Sequence, residues 1–407
     1  MKQNTVGLAR RGDIHGAIPG VIFSSGNNWS EIRRSSLHIL RDFGYGKNAL
    51  EEIIEEEVDN LIEHIERNCL DIPMDVNRFF NIIVLSSLWR LLSGESLKIG
   101  DPKLENLIDN MRKLVKDSAN PILIVSFSSA PLFKFVHKVG LTSFIKTMHM
   151  ILDYCNEYIE FQKTKLIDGD NPLTFIEAFL HKINSVKDPS EPLHGENGIL
   201  NLQNMLFDFF LAGGDTTANT LNWAMLHMIL NPEMQDKVRQ ELKSSLGFRK
   251  AKMADKNDTP YTEAVLHEIQ RKGNIAPFGV LHRTTQDIKI GNFDIPKDTA
   301  IFPLLGEIMH DPAHFPEPKK FDPERYLSTQ HDGTLKFNPD PRVIPFGTGK
   351  RRCLGETMAR MTLYKFFTAL IQKFEIVSGQ DVPILDQYTP GAVLTPSPYK
   401  LKFVKIK

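Results

Sequence analysis

The chain of 407 residues has little cysteine, no excess of charge of either sign and no long apolar run, and each shortage excludes a class of protein. Its three cysteines, Cys69, Cys155 and Cys353, are too few and too far apart for a disulfide framework and point to a reducing compartment. With 49 basic against 50 acidic residues there is no net field to attract nucleic acid or an anionic membrane. The N-terminal stretch MKQNTVGLARRGD shows no signal peptide. The most apolar stretch, Pro121 to Val136, is interrupted by Ser, Pro and Lys, so it does not read as a bilayer span. Repeats and low-complexity segments are absent as well. What remains is a chain with 41% hydrophobic residues, enough for a large core, and the composition predicts a soluble or at most peripheral globular protein. Length alone would suggest two or three domains.

The pattern along the chain is mainly helical. Residues 1 to 28, rich in Gly and Pro, read as loop. Helical spacing runs from Ser30 to about Glu66, with a break at Phe43-Gly44-Tyr45-Gly46, and resumes between roughly 75 and 185. Asp188 to Gly198 reads as a solvated loop. A long helix follows from about Asn201 to Leu230, stopped by Asn231-Pro232. Further helices fit 233–246 and 260–272, and the alternating stretch 286–303 predicts short strands. Residues 311 to 352 are dense in Pro and Gly and too long for a plain connector, which marks a functional segment. One more helix starts near Leu354, and the last 25 residues read as a short hairpin.

Cys353 closes that irregular segment in Phe346-Gly347-Thr348-Gly349-Lys350-Arg351-Arg352-Cys353-Leu354-Gly355. A lone cysteine is most often a small buried hydrophobe. Here it opens a helix after three cationic side chains, where dipole and charge both favour a thiolate. The flanking glycines let backbone come close to a flat ligand. A phosphate loop would need Gly at 344 and Ser or Thr at 351, positions held by Ile344 and Arg351. A nucleic-acid patch would need more than one basic cluster, with aromatics interleaved.

Five positions, Phe346, Gly349, Arg351, Cys353 and Gly355, make this segment resemble the heme-binding signature of the cytochrome P450 family, Phe-x-x-Gly-x-Arg-x-Cys-x-Gly. The resemblance implies a mainly α fold with minor β, heme b as cofactor and Cys353 as the axial ligand to its iron. Ala212-Gly213-Gly214-Asp215-Thr216-Thr217, inside the long helix, resembles the oxygen-activation motif of the same family. Two mid-helix glycines cost about 1 kcal/mol each against Ala. Either they allow close helix packing, with Thr hydroxyls bonded back to the backbone, or they open space for dioxygen beside Ala212, with Asp215 and Thr216 relaying protons.

Glu268 and Arg271 lie three apart on one helical face, and the family pattern joins them to an Arg from Pro323-Glu324-Arg325-Tyr326 as a structural triad. His267-Glu268 also begins a zinc-protease motif, but its second His would fall at Arg271. Trp29 and Arg33, four apart on a helix, match the family's Trp-x-x-x-Arg and are expected, with Arg351 and His282, to hold a heme propionate. Arg10 or Arg11 is a further candidate. Apolar substrate contacts are expected from Ile14 to Phe23, from Phe210 and Ala212, and from Ile275 to Val280.

The resemblance runs from about residue 10 to the C-terminus and is greatest to animal microsomal members that hydroxylate drugs and steroids. It implies one heme-thiolate monooxygenase catalytic domain over residues 1–407, inserting an oxygen atom of O2 into a lipophilic molecule. Electrons are expected from NADPH through a flavoprotein reductase docking on Arg34, Lys350, Arg352 and Lys365. Such members work on the cytosolic face of the endoplasmic reticulum membrane, and an anchor, a proline-rich hinge and the first helices and strands usually precede their catalytic core. The chain is therefore expected to be a fragment or an alternative-start product with unpaired sheet edges. Two rival readings are an oxygen-independent heme-thiolate isomerase or dehydratase and a non-catalytic truncated product.

Overall fold

The computed structural model describes residues 18–46, 48–97, 100–117, 135, 142–165, 171–380, 388–389, 391 and 393–406. Its helices, among the described residues, are α1 (Gly26–Asp42), α2 (Asn48–Asn68), α3 (Asn77–Ser93), α4 (Pro102–Asp117), α5 (Thr142–Lys165) and α6 (Phe175–Ser185). There follow α7 (Gly195–Leu230), α8 (Pro232–Leu246), α9 (Pro260–Gly273), α10 (Leu305–His310) and α11 (Glu356–Lys373). Strands are short: β1 (His282–Arg283), β2 (Ile288–Ile290), β3 (Phe293–Ile295), β4 (Ala300–Ile301), β5 (Leu327–Thr329) and β6 (Leu335–Phe337). The last are β7 (Phe374–Ser378), β8 (Tyr388–Thr389), β9 (Thr395–Pro396) and β10 (Leu401–Lys405). They pair antiparallel as β1–β4, β2–β3, β5–β6, β7–β10 and β8–β9.

Helix α7 organises the core. Its 36 residues extend roughly 54 Å at 1.5 Å per residue, and α3, α5, α6, α9 and α11 all pack on it. Leu202, Met205, Leu206, Phe207, Leu221, Met225 and Met228 are buried on several sides, as expected of a helix running through a core. Pro232 at the start of α8 and Asn231 before it turn the chain sharply, because Pro suits a first helical position and ends what precedes it. None of the described helices is long and apolar enough to cross a membrane.

Two sequence expectations need correction. The long helix begins at Gly195, six residues before the expected Asn201, so His194 to Gly198 is not a solvated loop. Gly198 is there for packing: a Cβ on it would lie 2.5 Å from the Leu193 carbonyl oxygen and 2.8 Å from Ile183. At the other end, β8 and β9 form the expected hairpin, but β10 pairs with β7, which leaves α11 directly. Phe374, Ile376, Leu401 and Phe403 alternate inward and are all buried, and that shared apolar face selects the partner. Pro121 to Val136, apart from an exposed Phe135, lies outside the described residues, as do residues 1–17.

Beneath the irregular segment lies a buried ionic cluster. Arg271 Nε and Nη2 donate to the two Glu268 oxygens at 2.7 Å each, with both side chains fully buried. Arg271 also donates to the carbonyls of Met309 and Pro318, so α9 grips the segment that leads to Cys353. Burial opposes the guanidinium charge, but the Glu268 carboxylate outweighs it and holds the Arg271 pKa above its ordinary value.

His227, also in the core, stacks on Phe321 at 4.2 Å, and neither ring nitrogen has a hydrogen-bond partner. Burial, aided by the charges of Lys272 and Arg271, pushes its pKa down to about 3. The unfolded chain, with an ordinary histidine, therefore binds more protons than the native one between about pH 6.5 and 3, and stability falls as pH drops through that window. At pH 5 the expected loss is about 2 kcal/mol relative to pH 7. His227→Phe should remove that share of the acid loss, as measured by denaturant unfolding at both pH values. An unchanged difference between them would refute the assignment.

Candidate active site

The backbone shapes the Cys353 loop before any side chain acts. The Cys353 N–H donates to the Phe346 carbonyl at 2.9 Å and the Arg352 N–H to the Gly349 carbonyl at 3.1 Å, closing the segment on itself. Gly347 and Gly349 both sit at φ +68°, a left-handed conformation that a Cβ resists, so the glycines are required by the turn itself. Gly355 caps α11, and a Cβ there would stand 3.8 Å from the Cys353 sulfur. Phe346 is half-buried under the Arg360 guanidinium, 4.9 Å from its ring centre.

Cys353 is open to solvent, yet protein atoms crowd it. Desolvation pushes the thiol pKa up, the Glu356 carboxylate adds to this, and the N–H groups of Gly355 and Glu356 and the Arg33 charge only partly offset it. The expectation that three preceding cations favour a thiolate is thus corrected. Arg352 is paired with Glu356, Arg351 turns to Trp29, and Lys350 stays in solvent. Arg33 acts on the sulfur and Arg352, though paired with Glu356, also feels it, and a metal ion would supply the remaining drive to deprotonate it.

Trp29, Arg33 and Arg351 come together as expected. Arg351 lies over the Trp29 ring at 4.0 Å and Arg33 lies 5.8 Å from the same ring centre. Arg351 donates to the Ser24 carbonyl and Arg33 to the Arg352 carbonyl, each at 2.7 Å. Burial lowers both guanidinium pKa values, and for Arg351 the neighbouring Arg33 lowers it further. Neither is paired with a carboxylate among the described residues. Two adjacent, half-desolvated guanidiniums without an anion form a receptor for an acidic ligand group.

His282 is not drawn into this cluster. It is exposed on β1, its backbone aligned with Ile301, and makes no side-chain hydrogen bond with the three residues. Arg10 and Arg11 lie outside the described residues.

On α7 the motif splits between two faces. Ala212 is exposed and Thr216 is half-buried on one face, with the Thr216 hydroxyl donating to the Ala212 carbonyl at 2.6 Å. Asp215, about 100° round the helix from Thr216, is buried where Asn81 of α3 donates to one carboxylate oxygen at 3.1 Å and Asn219 to the other at 3.0 Å. Burial raises its pKa, partly countered by Asn81, the Arg112 charge and Asn219. The glycines serve packing: a Cβ on Gly213 would meet Leu88 of α3 at 2.6 Å, and one on Gly214 would touch Leu85 at 3.4 Å. They bring α3 close to α7, and the opened-space reading is set aside for them.

The triad forms, and it has a fourth member that the sequence reading missed. Arg325 Nε lies 3.6 Å from Glu268, while Tyr326 donates its phenol proton to Glu268 at 2.7 Å. Asp208 was missed too. Fully buried on α7, its carboxylate accepts the N–H groups of Val21 and Ile22 at 2.7 and 3.0 Å, and Asn201 accepts that of Gly20 at 3.2 Å. These bonds seat the loop whose Ser24 carbonyl holds Arg351. A buried Asp in a helical motif gives no sequence signal of a loop 186 residues away.

Two further expectations change. Phe210 is buried against Trp89 and Tyr154 and faces the core, away from any open surface. Lys365 is buried in an ion pair with Glu55 at 2.8 Å and a bond to the Ala251 carbonyl, so it is no docking cation. Of the loop expected to touch substrate only residues 18–23 are described, with Phe23 exposed. Within Ile275 to Val280, Phe278 and Val280 are exposed, and Phe302 and Leu304 are exposed beyond it. A groove of about 850 Å³ runs along the outer flank of α1, lined by Trp29, Arg33, Arg41 and Lys182. It includes neither Cys353 nor Thr216 and is not the reaction chamber.

The donor chemistry fits heme. No cluster of three His, Cys, Asp or Glu side chains able to hold an ion occurs among the described residues. A lone cysteine suits an ion whose other donors arrive with it, and the paired guanidiniums suit the carboxylates of the same group.

Comparison with known proteins agrees. The family model described as Cytochrome P450 matches residues 10–403. Cytochrome P450 2B4 of Oryctolagus cuniculus is 35% identical over 395 residues, which is 95% of this chain and 77% of that protein. Cytochrome P450 2B19 of Mus musculus is 34% identical, with the same coverage of each chain. Cytochrome P450 2C8 of Homo sapiens is 33% identical over 95% of this chain and 78% of its own length. A single thiol on a glycine-shaped loop, read together with this similarity along nearly the whole chain, makes the protein a heme-thiolate monooxygenase of the cytochrome P450 family.

Proposed function

We propose that Cys353 is the axial heme ligand and that Arg33, Arg351 and Trp29 hold the propionates. The observation that carries this reading is the placement of one uncommitted thiol beside two guanidiniums that have no carboxylate partner among the described residues. When bound, heme supplies the iron that activates dioxygen for insertion into a lipophilic substrate. The protein's part is to hold that group, exclude water with apolar walls and deliver protons. His282 has no contact that supports a share in propionate binding.

Thr216 is proposed as the group that presents a proton at the open face of α7, and Asp215 as its store. Burial lets Asp215 keep its proton to higher pH than an ordinary carboxyl. Because Asn81 and Asn219 occupy its two oxygens, the carboxyl must leave those bonds, or work through water, to reach Thr216.

NADPH electrons are proposed to arrive through a flavoprotein reductase on the surface around Lys350, Arg352 and Arg34, all exposed. The residence proposed for the protein is the cytosolic face of the endoplasmic reticulum membrane, as for the microsomal relatives. Exposed Phe23, Phe278, Val280 and Ala212 are proposed to meet the substrate, and apolar contacts of this kind favour a steroid, fatty acid, terpenoid or xenobiotic.

The deciding measurement is the absorption spectrum of the heme-loaded chain, reduced under carbon monoxide. A Soret band at the thiolate-ligated position is expected, and Cys353→Ala should abolish it; a band that survives in the variant overturns the ligand assignment. Thr216→Val and Asp215→Asn should each cut turnover on the order of 10²-fold and raise the NADPH consumed per product. The decline of turnover with rising pH, as Asp215 loses its proton, should vanish in Asp215→Asn. Parental rate and stoichiometry in both variants would end the relay reading. Lys350→Glu and Arg34→Glu should slow reduction by the reductase about tenfold at low salt, less so at high salt. An unchanged rate with its salt dependence intact would remove that docking surface.

A further inference from the structure

The corner between α1 and α2 reaches the Cys353 loop through one phenol. Gly44 and Gly46 take φ of +86° and +78°, and the Tyr45 N–H donates to the Leu40 carbonyl at 2.9 Å, so the turn is tightly held. Its surface abuts the start of α11, since a Cβ on Gly46 would stand 3.5 Å from the Thr357 methyl. From this corner the Tyr45 hydroxyl donates to the Leu354 carbonyl at 2.7 Å. The Met358 N–H and the Thr357 side chain at the start of α11 also act on the phenol oxygen.

The Leu354 carbonyl and the Gly355 N–H belong to one planar peptide unit. Gly355 stands against the Cys353 sulfur, where a Cβ on it would lie 3.8 Å away, and its N–H is one of two that favour the charged sulfur. A donor on the carbonyl end of an amide polarises it and strengthens what its N–H gives at the other end. The peptide plane also ties the two directions together, so anchoring the oxygen aims the N–H.

We propose that Tyr45 is a positioning residue for the thiolate ligand: by holding the Leu354–Gly355 peptide it strengthens the Gly355 N–H bond to the Cys353 sulfur and thereby tempers the electron donation of that sulfur to iron. Hydrogen bonds to a ligating sulfur are a known lever on the potential of such centres. The inference rests on the proposed ligation by Cys353. It places the control of the ligand on a helix corner more than three hundred positions away in sequence.

The test uses the heme-loaded full chain and Tyr45→Phe, which keeps the ring and removes the hydroxyl. A weaker bond to sulfur leaves the thiolate more electron-rich and favours the ferric state. The reduction equilibrium against a redox dye should therefore fall about threefold, roughly 30 mV at 59 mV per tenfold for one electron. The iron–sulfur stretching frequency should rise. Phe43→Leu, which loosens the same corner without removing a hydrogen bond, should lower the melting temperature and leave the potential in place. An unchanged potential and frequency in Tyr45→Phe, or an equal shift in Phe43→Leu, overturns the proposal. If the parent chain itself lacks the thiolate Soret band, it is the ligation by Cys353 that has failed. A parent that shows the band beside an unshifted Tyr45→Phe sinks only the role of Tyr45.

Discussion

The fully buried pair of Glu268 and Arg271 is the contact on which the ordering of the active-site loop depends. Two charges so far from water are tolerable only when every donor and acceptor is met, and here the surroundings come close to meeting them. Tyr326 and the Asp322 N–H complete the carboxylate, while the carbonyls of Met309, Pro318 and Lys320 complete the guanidinium. Removing one partner of such a pair typically costs about 3–5 kcal/mol. The pair therefore does more than staple one helix: it gives a segment with little regular structure a single way to lie against α9. That segment ends at Cys353.

The second organising element is α7, which works because its faces differ. One side carries small residues and lets α3 approach, as the contacts of Gly213 and Gly214 with Leu88 and Leu85 show. Another leaves Ala212 and Thr216 open. A third buries Asp208 and Asn201, whose acceptors hold the loop from Gly20 to Ile22. That loop presents the Ser24 carbonyl to Arg351, and Arg351 stacks on Trp29. Polar atoms deep in a helical core are costly unless paired; here their pairing ties the long helix to the cations of the candidate site.

Charge near the thiol is arranged with similar economy. Arg352 pairs with Glu356, whose carboxylate acts against a thiolate at Cys353. Among the described residues Arg33 and Arg351 have no carboxylate partner, and the N–H groups at the start of α11 act on the sulfur. The result is a cysteine whose own thiol is held above its ordinary pKa, with the Arg33 and Arg351 guanidiniums gathered at Trp29 close by.

Local pattern carried much of this. The helical periods of α8 and α9, the Asn231-Pro232 stop, the alternation across β2 to β4 and the spacing of Phe346, Gly349, Arg351, Cys353 and Gly355 are properties of short stretches, so they were legible in order along the chain. The pairing of Glu268 with Arg271 was legible for the same reason, being three residues apart on one helix. Whatever depended on residues distant in sequence was not. The direction in which Asp215 points was decided by Asn81 on α3, and the burial of Lys365 by Glu55 on α2. The partner of β10 was settled by a common apolar face with β7, and the role of Gly213 by Leu88. A sequence records which chemical groups are present and their local geometry. Which face of each is dry, and which partner neutralises it, is set only when separate helices pack together.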